Sequence, residues 1–111
     1  MGCSVSKPKP GFISLSKVTL KDGMKEEFED WAANDPTGLA KTDRPAKGCI
    51  GVTYAYNDAD GTVLLTHLWK DRASFDKFLK WRMDSGSMQA VVEKFAQGPP
   101  EFTHLTVNKS V

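Results

Sequence analysis

Hydrophobic and polar residues alternate with a period of two in four stretches of the chain. These stretches, residues 12–20, 49–56, 62–69 and 102–108, are rich in β-branched and aromatic side chains, which favours strands. The third stretch carries apolar side chains on both of its faces, with Val63, Leu65, His67 and Trp69 on one and Leu64 and Leu68 on the other. The pattern predicts four strands, and the third has two faces to bury.

Apolar residues recur every three or four positions in two other regions, which predicts amphipathic helices. Asp22 is a candidate N-cap for the first helix, whose apolar stripe is Met24, Phe28, Trp31 and Ala32. Asp71 is a candidate N-cap for the second, whose stripe is Phe75, Phe78, Leu79 and Met83.

A polar break at residues 84–87 separates the second helix from a third apolar stripe. That stripe consists of Met88, Val91, Val92 and Phe95. Gly98 occupies a position typical of a helix C′ glycine, and Pro99 and Pro100 follow it, which favours termination there.

The segment of residues 34–47 holds Pro36, Gly38 and Pro45 and is longer than most connections between elements. Two interpretations stay open: a lid or pocket rim, and a tolerated insertion. Residues 57–61 (NDADG) predict the turn of a hairpin between the second and third strands.

The predicted order is β-α-β-β-α-(α)-β, which is the ferredoxin-like split βαβ pattern of an α+β domain. In this fold one antiparallel sheet carries its helices on one face. An apolar opposite face has to be covered, and a second copy of the same sheet is the simplest cover. The sequence therefore predicts a homodimer.

Composition limits the classes of protein that remain. With 111 residues, one domain is expected at residues 11–111, preceded by a tail at residues 1–10. The formal net charge of +1 gives no basic surface for nucleic acid. Neither a membrane-spanning apolar run nor a secretory signal is recognised, and the two cysteines form no disulfide framework, so a cytoplasmic protein is expected.

The tail (MGCSVSK) matches the N-myristoylation pattern, with Gly2 as the acceptor and Cys3 as a candidate for palmitoylation. Two lipid signals give stable anchoring where one alone is marginal. The expectation is association with the cytoplasmic face of a membrane in a eukaryotic host. In a bacterial host the match would be coincidental.

Three short motifs stand at the ends of predicted elements. Residues 67–75 (HLWKDRASF) join the end of the third strand to an Asp-Arg entry to a helix, and residues 21–28 (KDGMKEEF) form the entry to the first helix. Residues 47–51 (KGCIG) form the entry to the second strand. In this order and spacing the three motifs resemble those of the antibiotic biosynthesis monooxygenase family, and the likeness spans about residues 12–107.

This resemblance implies a dimeric α/β barrel and the oxidation of small phenols, quinols or anthrone-like compounds without a metal or another cofactor. The chain departs from the family at particular positions. His67 replaces the acid before the strand-end Trp, and Leu65 replaces the Asn of a polyketide-oxidising branch. The positions that a haem-degrading branch uses hold Ser16, Phe78 and Met88, so haem degradation is not expected.

His67 is the candidate catalytic base, since a histidine titrates near neutral pH; the alternative is a core or interface histidine. The candidate substrate-binding residues are Trp69, Leu65, Phe78, Met88, Ser16 and Tyr54. His104 is expected one strand away from His67, with no third ligand for a metal. Arg82 is expected in solvent with Lys77 and Lys80. Because Arg82 lies seven positions after Phe75 in the apolar stripe of the second helix, a contact with an anion in a pocket stays open.

The leading functional hypothesis is a cofactor-independent monooxygenase-like enzyme that acts on a small aromatic, phenolic or quinol-type substrate. One alternative is a non-catalytic ligand-binding or membrane-recruited dimerisation module. Another is a cyclase or isomerase that uses His67 for proton transfer alone.

Overall fold

The computed structural model describes residues 11–107. The candidate lipidation sites, Gly2 and Cys3, and the last predicted strand residue, Asn108, lie outside this range. Their predictions are therefore not addressed by the structure.

Four antiparallel strands form one sheet in the order β2-β3-β1-β4. The strands are β1 (Gly11–Thr19), β2 (Cys49–Asn57), β3 (Thr62–Trp69) and β4 (Glu101–Val107). Each agrees with a predicted stretch to within one residue, and β2 and β3 form the predicted hairpin. The α+β, ferredoxin-like arrangement predicted from the sequence is confirmed.

The first helix, α1 (Lys25–Asn34), begins later than the predicted cap at Asp22. A turn with Gly23 at φ +76° separates Asp22 from the helix, so Met24 is the N-cap and no side chain caps the helix. The apolar stripe is as predicted, because Phe28 and Trp31 are buried.

Two helices follow β3. Asp71 caps α2 (Arg72–Asp84) as predicted, since its Oδ1 accepts a hydrogen bond from the Ser74 amide at 2.8 Å. Gly86, at φ +76°, separates α2 from α3 (Ser87–Phe95). The cap predicted at Gly98 is wrong, because α3 ends at Phe95 and its C-cap is Ala96, where Leu20 forms an isolated bridge.

The register of α2 differs from the predicted apolar stripe at its C-terminal end. Met83 is 62% exposed, whereas Arg82 is 4% exposed. The prediction of a solvated Arg82 is therefore wrong, and the reason is an acidic partner described below.

The connection between α1 and β2 contains a short π-helical turn, Leu39–Asp43. A bulge between Cys49 and Gly51 interrupts the alternation at the start of β2. As a result Ile50, which the pattern places with Val52 and Tyr54, is 63% exposed.

The helices cover one face of the sheet, and the main core lies between them. Its buried residues come from β1, α1, β3 and α3, from the isolated bridge between Leu20 and Ala96, and from the connection before β2: Val18, Leu20, Phe28, Trp31, Leu39, Val63, Leu65, Phe95 and Ala96. A second cluster of Phe12, Trp69 and Phe75 packs at the other end of the sheet. Within residues 11–107 no helix is long and apolar enough to cross a membrane.

Within residues 11–107, the opposite face of the sheet has no helix over it. Its apolar members are spread over three strands and are partly or fully exposed: Ile13, Leu15, Leu64, Leu68, Leu105 and Val107. This uncovered sheet face is the one for which the sequence predicted a second copy.

Candidate functional site

A cavity lies between the covered face of the sheet and the three helices. The empty space within it is about 740 Å³, a figure that includes the open solvent at its mouth. Its walls are mostly apolar, and their main members are Phe28, Trp31, Leu39, Leu65, Phe75, Phe78, Leu79, Met88, Val91, Val92 and Phe102.

The polar end of the cavity is built from His67 on β3, Asp43 on the π-helical turn and Arg82 on α2. Nε2 of His67 lies 2.7 Å from Oδ2 of Asp43. Arg82 Nη2 donates to the other carboxylate oxygen, Oδ1. All three residues are less than a tenth exposed, so the carboxylate is held between a histidine and a cation away from solvent.

The pKa of Asp43 lies below its ordinary value. Burial raises this pKa, but the hydrogen bond with His67 and the positive charge of Arg82 outweigh burial and lower it. The carboxylate is therefore ionised at neutral pH and can only accept hydrogen bonds. Nε2 of His67 must then carry the proton, which leaves Nδ1 with the free lone pair in the neutral ring.

Ser14 and Ser16 on β1 also face the cavity. Both are buried, and neither hydroxyl has a hydrogen bond to another residue within 11–107. Ser14 pairs with His67 on β3 and with His104 on β4. The two histidines are thus separated by one strand, as predicted, and His104 is exposed at the sheet edge.

The cavity wall includes five of the residues singled out in the sequence: His67, Leu65, Phe78, Met88 and Ser16. The structure brings these side chains together from β1, β3, α2 and α3. Their roles in binding and catalysis stay predictions.

Trp69 and Tyr54 lie outside the cavity wall. Trp69 is fully buried behind His67, with its ring 6.4 Å from the imidazole and tilted by 10°. Tyr54 stacks on Phe28. Burial, followed by the negative charge of Glu29, raises the pKa of Tyr54 to about 12, so its phenol stays protonated and is unsuited to act as a base.

Besides Ser14, the site residue that sequence reasoning missed is Asp43. It lies in the long segment before β2, where one acid among several polar residues gives no periodic signal. The length of that segment was the available hint. For Arg82, the hint was its position in the apolar repeat of α2. That position predicts a side chain that faces the core, although arginine is charged.

In residues 11–107 no three His, Cys, Asp or Glu side chains lie close enough to hold a metal ion. The sequence-based expectation that the protein uses neither a metal nor another cofactor stays a prediction.

The sequence matches no protein-family model and has no significant similarity to a curated protein. Several solved structures share its fold. A monooxygenase from the gene ActVA-Orf6 of Streptomyces coelicolor, in complex with the ligand Nanaomycin D, is 15% identical, with a TM-score of 0.72 over 98% of this chain and 97% of that one.

Two other structures are similar to the same degree. A conserved protein from Methanosarcina mazei Go1 is 14% identical, with a TM-score of 0.73 over 91% of this chain and 96% of that one. A provisionally assigned antibiotic biosynthesis monooxygenase from Deinococcus radiodurans is 13% identical, with a TM-score of 0.72 over 90% and 95%. The chain thus has the fold of the antibiotic biosynthesis monooxygenases, as the resemblance implied.

Proposed function

We propose that the protein is a cofactor-independent monooxygenase-like enzyme that acts on a small aromatic, phenolic or quinol-type substrate. The observation that carries the proposal is the buried His67–Asp43 pair at the polar end of an otherwise apolar cavity. Such a pairing of a base with an apolar pocket favours the removal of a weakly acidic proton from a hydrophobic molecule.

His67 is the proton acceptor in this proposal. Its Nδ1 accepts the proton from a substrate hydroxyl or activated CH, while Asp43 holds Nε2 and stabilises the imidazolium that forms. Arg82 keeps Asp43 ionised during this step. The hydroxyls of Ser14 and Ser16 supply donors for a substrate oxygen, and donors placed in advance stabilise the developing anion.

The oxidation follows from the electron-rich anion. The anion passes an electron to O₂, and the two radicals combine into a peroxide on the substrate carbon. Loss of water leaves a carbonyl, so that a CH₂ group and O₂ give C=O and H₂O. The apolar wall excludes bulk water and thereby limits side reactions of the intermediates.

The relatives support the substrate class in part. The Streptomyces coelicolor protein of the same fold is a monooxygenase whose structure contains Nanaomycin D. The mostly apolar wall of the cavity favours a hydrophobic ligand.

Oxygen uptake tests the proposal directly. The purified protein is mixed with anthrone or a naphthoquinol, and O₂ consumption is recorded with the uncatalysed oxidation subtracted. The expected result is enzyme-dependent uptake of one O₂ per molecule of anthraquinone formed from anthrone. Failure of every electron-rich phenol and quinol to raise the uptake above the blank would overturn the proposal.

A second candidate is proton transfer alone, as in a cyclase or isomerase, which the same His67–Asp43 pair favours. Enzyme-dependent exchange of deuterium from solvent into anthrone or the naphthoquinol, without O₂ uptake, identifies this activity. A non-catalytic binding module instead gives a ligand that is released unchanged on denaturation.

We further propose that the uncovered sheet face binds a second copy of the chain, which gives a homodimer. The face carries apolar side chains on three adjacent strands, including Leu64, Leu105 and Val107, each more than a third exposed. A patch of this kind is unusual on a monomer. A copy of the same sheet matches it in shape and polarity.

The tail gives a separate proposal, which rests on the sequence alone. Gly2 is myristoylated and Cys3 palmitoylated in a eukaryotic host, and the tail then directs the domain to a membrane surface. The intact mass of protein isolated from its host tests this. An unmodified chain with Gly2 free would refute it.

A further inference from the structure

The carboxylate that orients His67 belongs to a connecting segment rather than to the sheet or a helix of the core. Asp43 is the last residue of the π-helical turn Leu39–Asp43. Residues 37–43 of this segment, called the Asp43 loop below, also supply Leu39 to the cavity wall. The same loop therefore both covers the cavity and completes its polar end.

Arg82 holds the Asp43 loop to the rest of the domain. Its Nη1 donates to the carbonyl oxygen of Thr37 at 2.8 Å and to Oγ of Ser87, the first residue of α3, at 3.2 Å. Its Nη2 donates to Thr42 Oγ1 and to Asp43 Oδ1. One guanidinium thus joins three residues of the loop to the junction of α2 and α3.

Other attachments of the Asp43 loop to this region are few. Apart from the hydrogen bond between Asp43 and His67, every hydrogen bond from the loop to the sheet, α2 or α3 in the described chain involves Arg82. The remaining ones stay within the loop, reach the end of α1, as between Trp31 and Thr37, or join the loop to the residues that follow it, Arg44 and Ala46. The burial of Leu39 in the main core is a further, apolar attachment of the loop.

We propose that Arg82 is a positioning residue that makes closure of the Asp43 loop and orientation of His67 a single event. When Arg82 docks the loop, Leu39 covers the cavity and the Asp43 carboxylate meets Nε2 of His67. When the loop leaves, the cavity opens and His67 loses the carboxylate that fixes its tautomer. The link to turnover rests on the proposed function, but the docking itself does not.

The other neighbours of His67 are uncharged, so Asp43 determines the tautomer of the His67 ring. Ser14 on β1 and Val52 on β2 are its cross-strand partners, and Trp69 stacks against its ring. None of these three carries a charge. Asp43 and, through it, Arg82 are the charged groups at this end of the cavity.

Two measurements without substrate test the proposal on Arg82→Lys, with Arg72→Lys as the matched control. Lysine keeps the charge but loses the fork that reaches several acceptors. Arg72 lies on the same helix, and its side chain is 64% exposed beside Asp76. The first measurement is amide hydrogen exchange of the Asp43 loop. The second is the ¹⁵N shifts of the His67 ring in a His104→Gln background, where His67 is the sole histidine.

Arg82→Lys is expected to raise exchange in the Asp43 loop at least tenfold, while β1 and β3 stay protected. The neutral His67 ring is expected to change from the Nε2–H form to a mixture of both tautomers. Arg72→Lys is expected to change neither. Unchanged loop exchange and an unchanged tautomer in folded Arg82→Lys would overturn the proposal.

Thr42→Ala serves as a second variant in case Arg82→Lys fails to fold. It removes one acceptor of Arg82 and leaves the buried charges paired, so loop exchange is expected to rise severalfold. No rise would also overturn the proposal. If both variants behave as expected and no substrate raises O₂ uptake, the positioning role stands and the proposed function fails.

Discussion

Nε2 of His67 and Oδ2 of Asp43 lie 2.7 Å apart, although 24 positions separate the two residues in the chain. One belongs to a central strand and the other to the connection before the neighbouring strand. Their meeting explains how a histidine from a regular strand and a carboxylate from an irregular connection form the polar end of an apolar cavity.

Asp43→Asn is expected to destabilise the protein at neutral pH, because it leaves Arg82 buried without an anionic partner. Breaking a buried pair from one side costs about 3–5 kcal/mol. Urea unfolding at pH 7 measures the loss. Asp76→Asn, which removes an exposed partner of Arg72, serves as the control and is expected to cost less than about 1 kcal/mol.

The difference in free energy of unfolding between wild type and Asp43→Asn should become smaller in acid. The folded pKa of Asp43 is lowered from its ordinary value of 3.8, so the stability it contributes is complete above that value. This stability is lost as the pH falls through 3.8 towards the folded pKa. Urea unfolding at pH 5 and pH 3 checks this, and an equal difference at both would contradict the account.

Filling the cavity should block binding without unfolding the domain. Val91 on α3 lines the cavity, and Val91→Phe places a larger apolar side chain in existing space. Fluorescence titration with anthrone is expected to show at least tenfold weaker binding, with a melting temperature close to that of wild type. Met83→Phe, on the exposed side of α2, should bind normally. Equal affinity for both variants would refute this location of the site.

Because the uncovered sheet face is apolar, we expect a dimer that dissociates when a single charged residue is introduced into this face. Light scattering of the wild type should give twice the 12.2 kDa of one chain. Leu64→Glu puts a carboxylate on this face, where Leu64 is 40% exposed, and should give the mass of one chain. Met83→Glu is the control, on a helix surface. A monomeric wild type would contradict the prediction.

Gly48 is expected to tolerate no side chain. Its φ is +88°, and an added Cβ would come within 2.3 Å of Ser74 Oγ. Gly48→Ala therefore combines backbone strain with a clash between the start of β2 and α2, and a loss of about 1–3 kcal/mol is expected. Gly51→Ala, with no atom within 4 Å of the new Cβ, is the matched control for thermal unfolding.

The sequence predicted the strands and most of the core because those features depend on periodicity. Alternation placed Val63, Leu65, His67 and Trp69 on one face, and in the structure this is the covered face; the sequence left open which of the two faces it would be. Where a single residue breaks the period, the prediction was wrong. The bulge at Cys49–Gly51 exposes Ile50, and nothing in the local pattern announces it.

The candidate site was only partly predictable for a different reason. His67 and Leu65 lie on one regular strand, so their shared orientation follows from the chain alone. The Asp43–Arg82 pair depends on how an irregular connection folds back over α2, which is a tertiary effect. Burial of Arg82 was opposed by its charge, and the carboxylate of Asp43 offsets that cost.

The most direct test of the central claim is O₂ uptake with anthrone by wild type, His67→Gln and His104→Gln. We expect His67→Gln to lower kcat about 100-fold or more, because it removes the general base. We also expect His104→Gln, altered at the exposed edge strand, to stay close to wild type. Wild-type turnover by folded His67→Gln would contradict the assignment of His67 as the base.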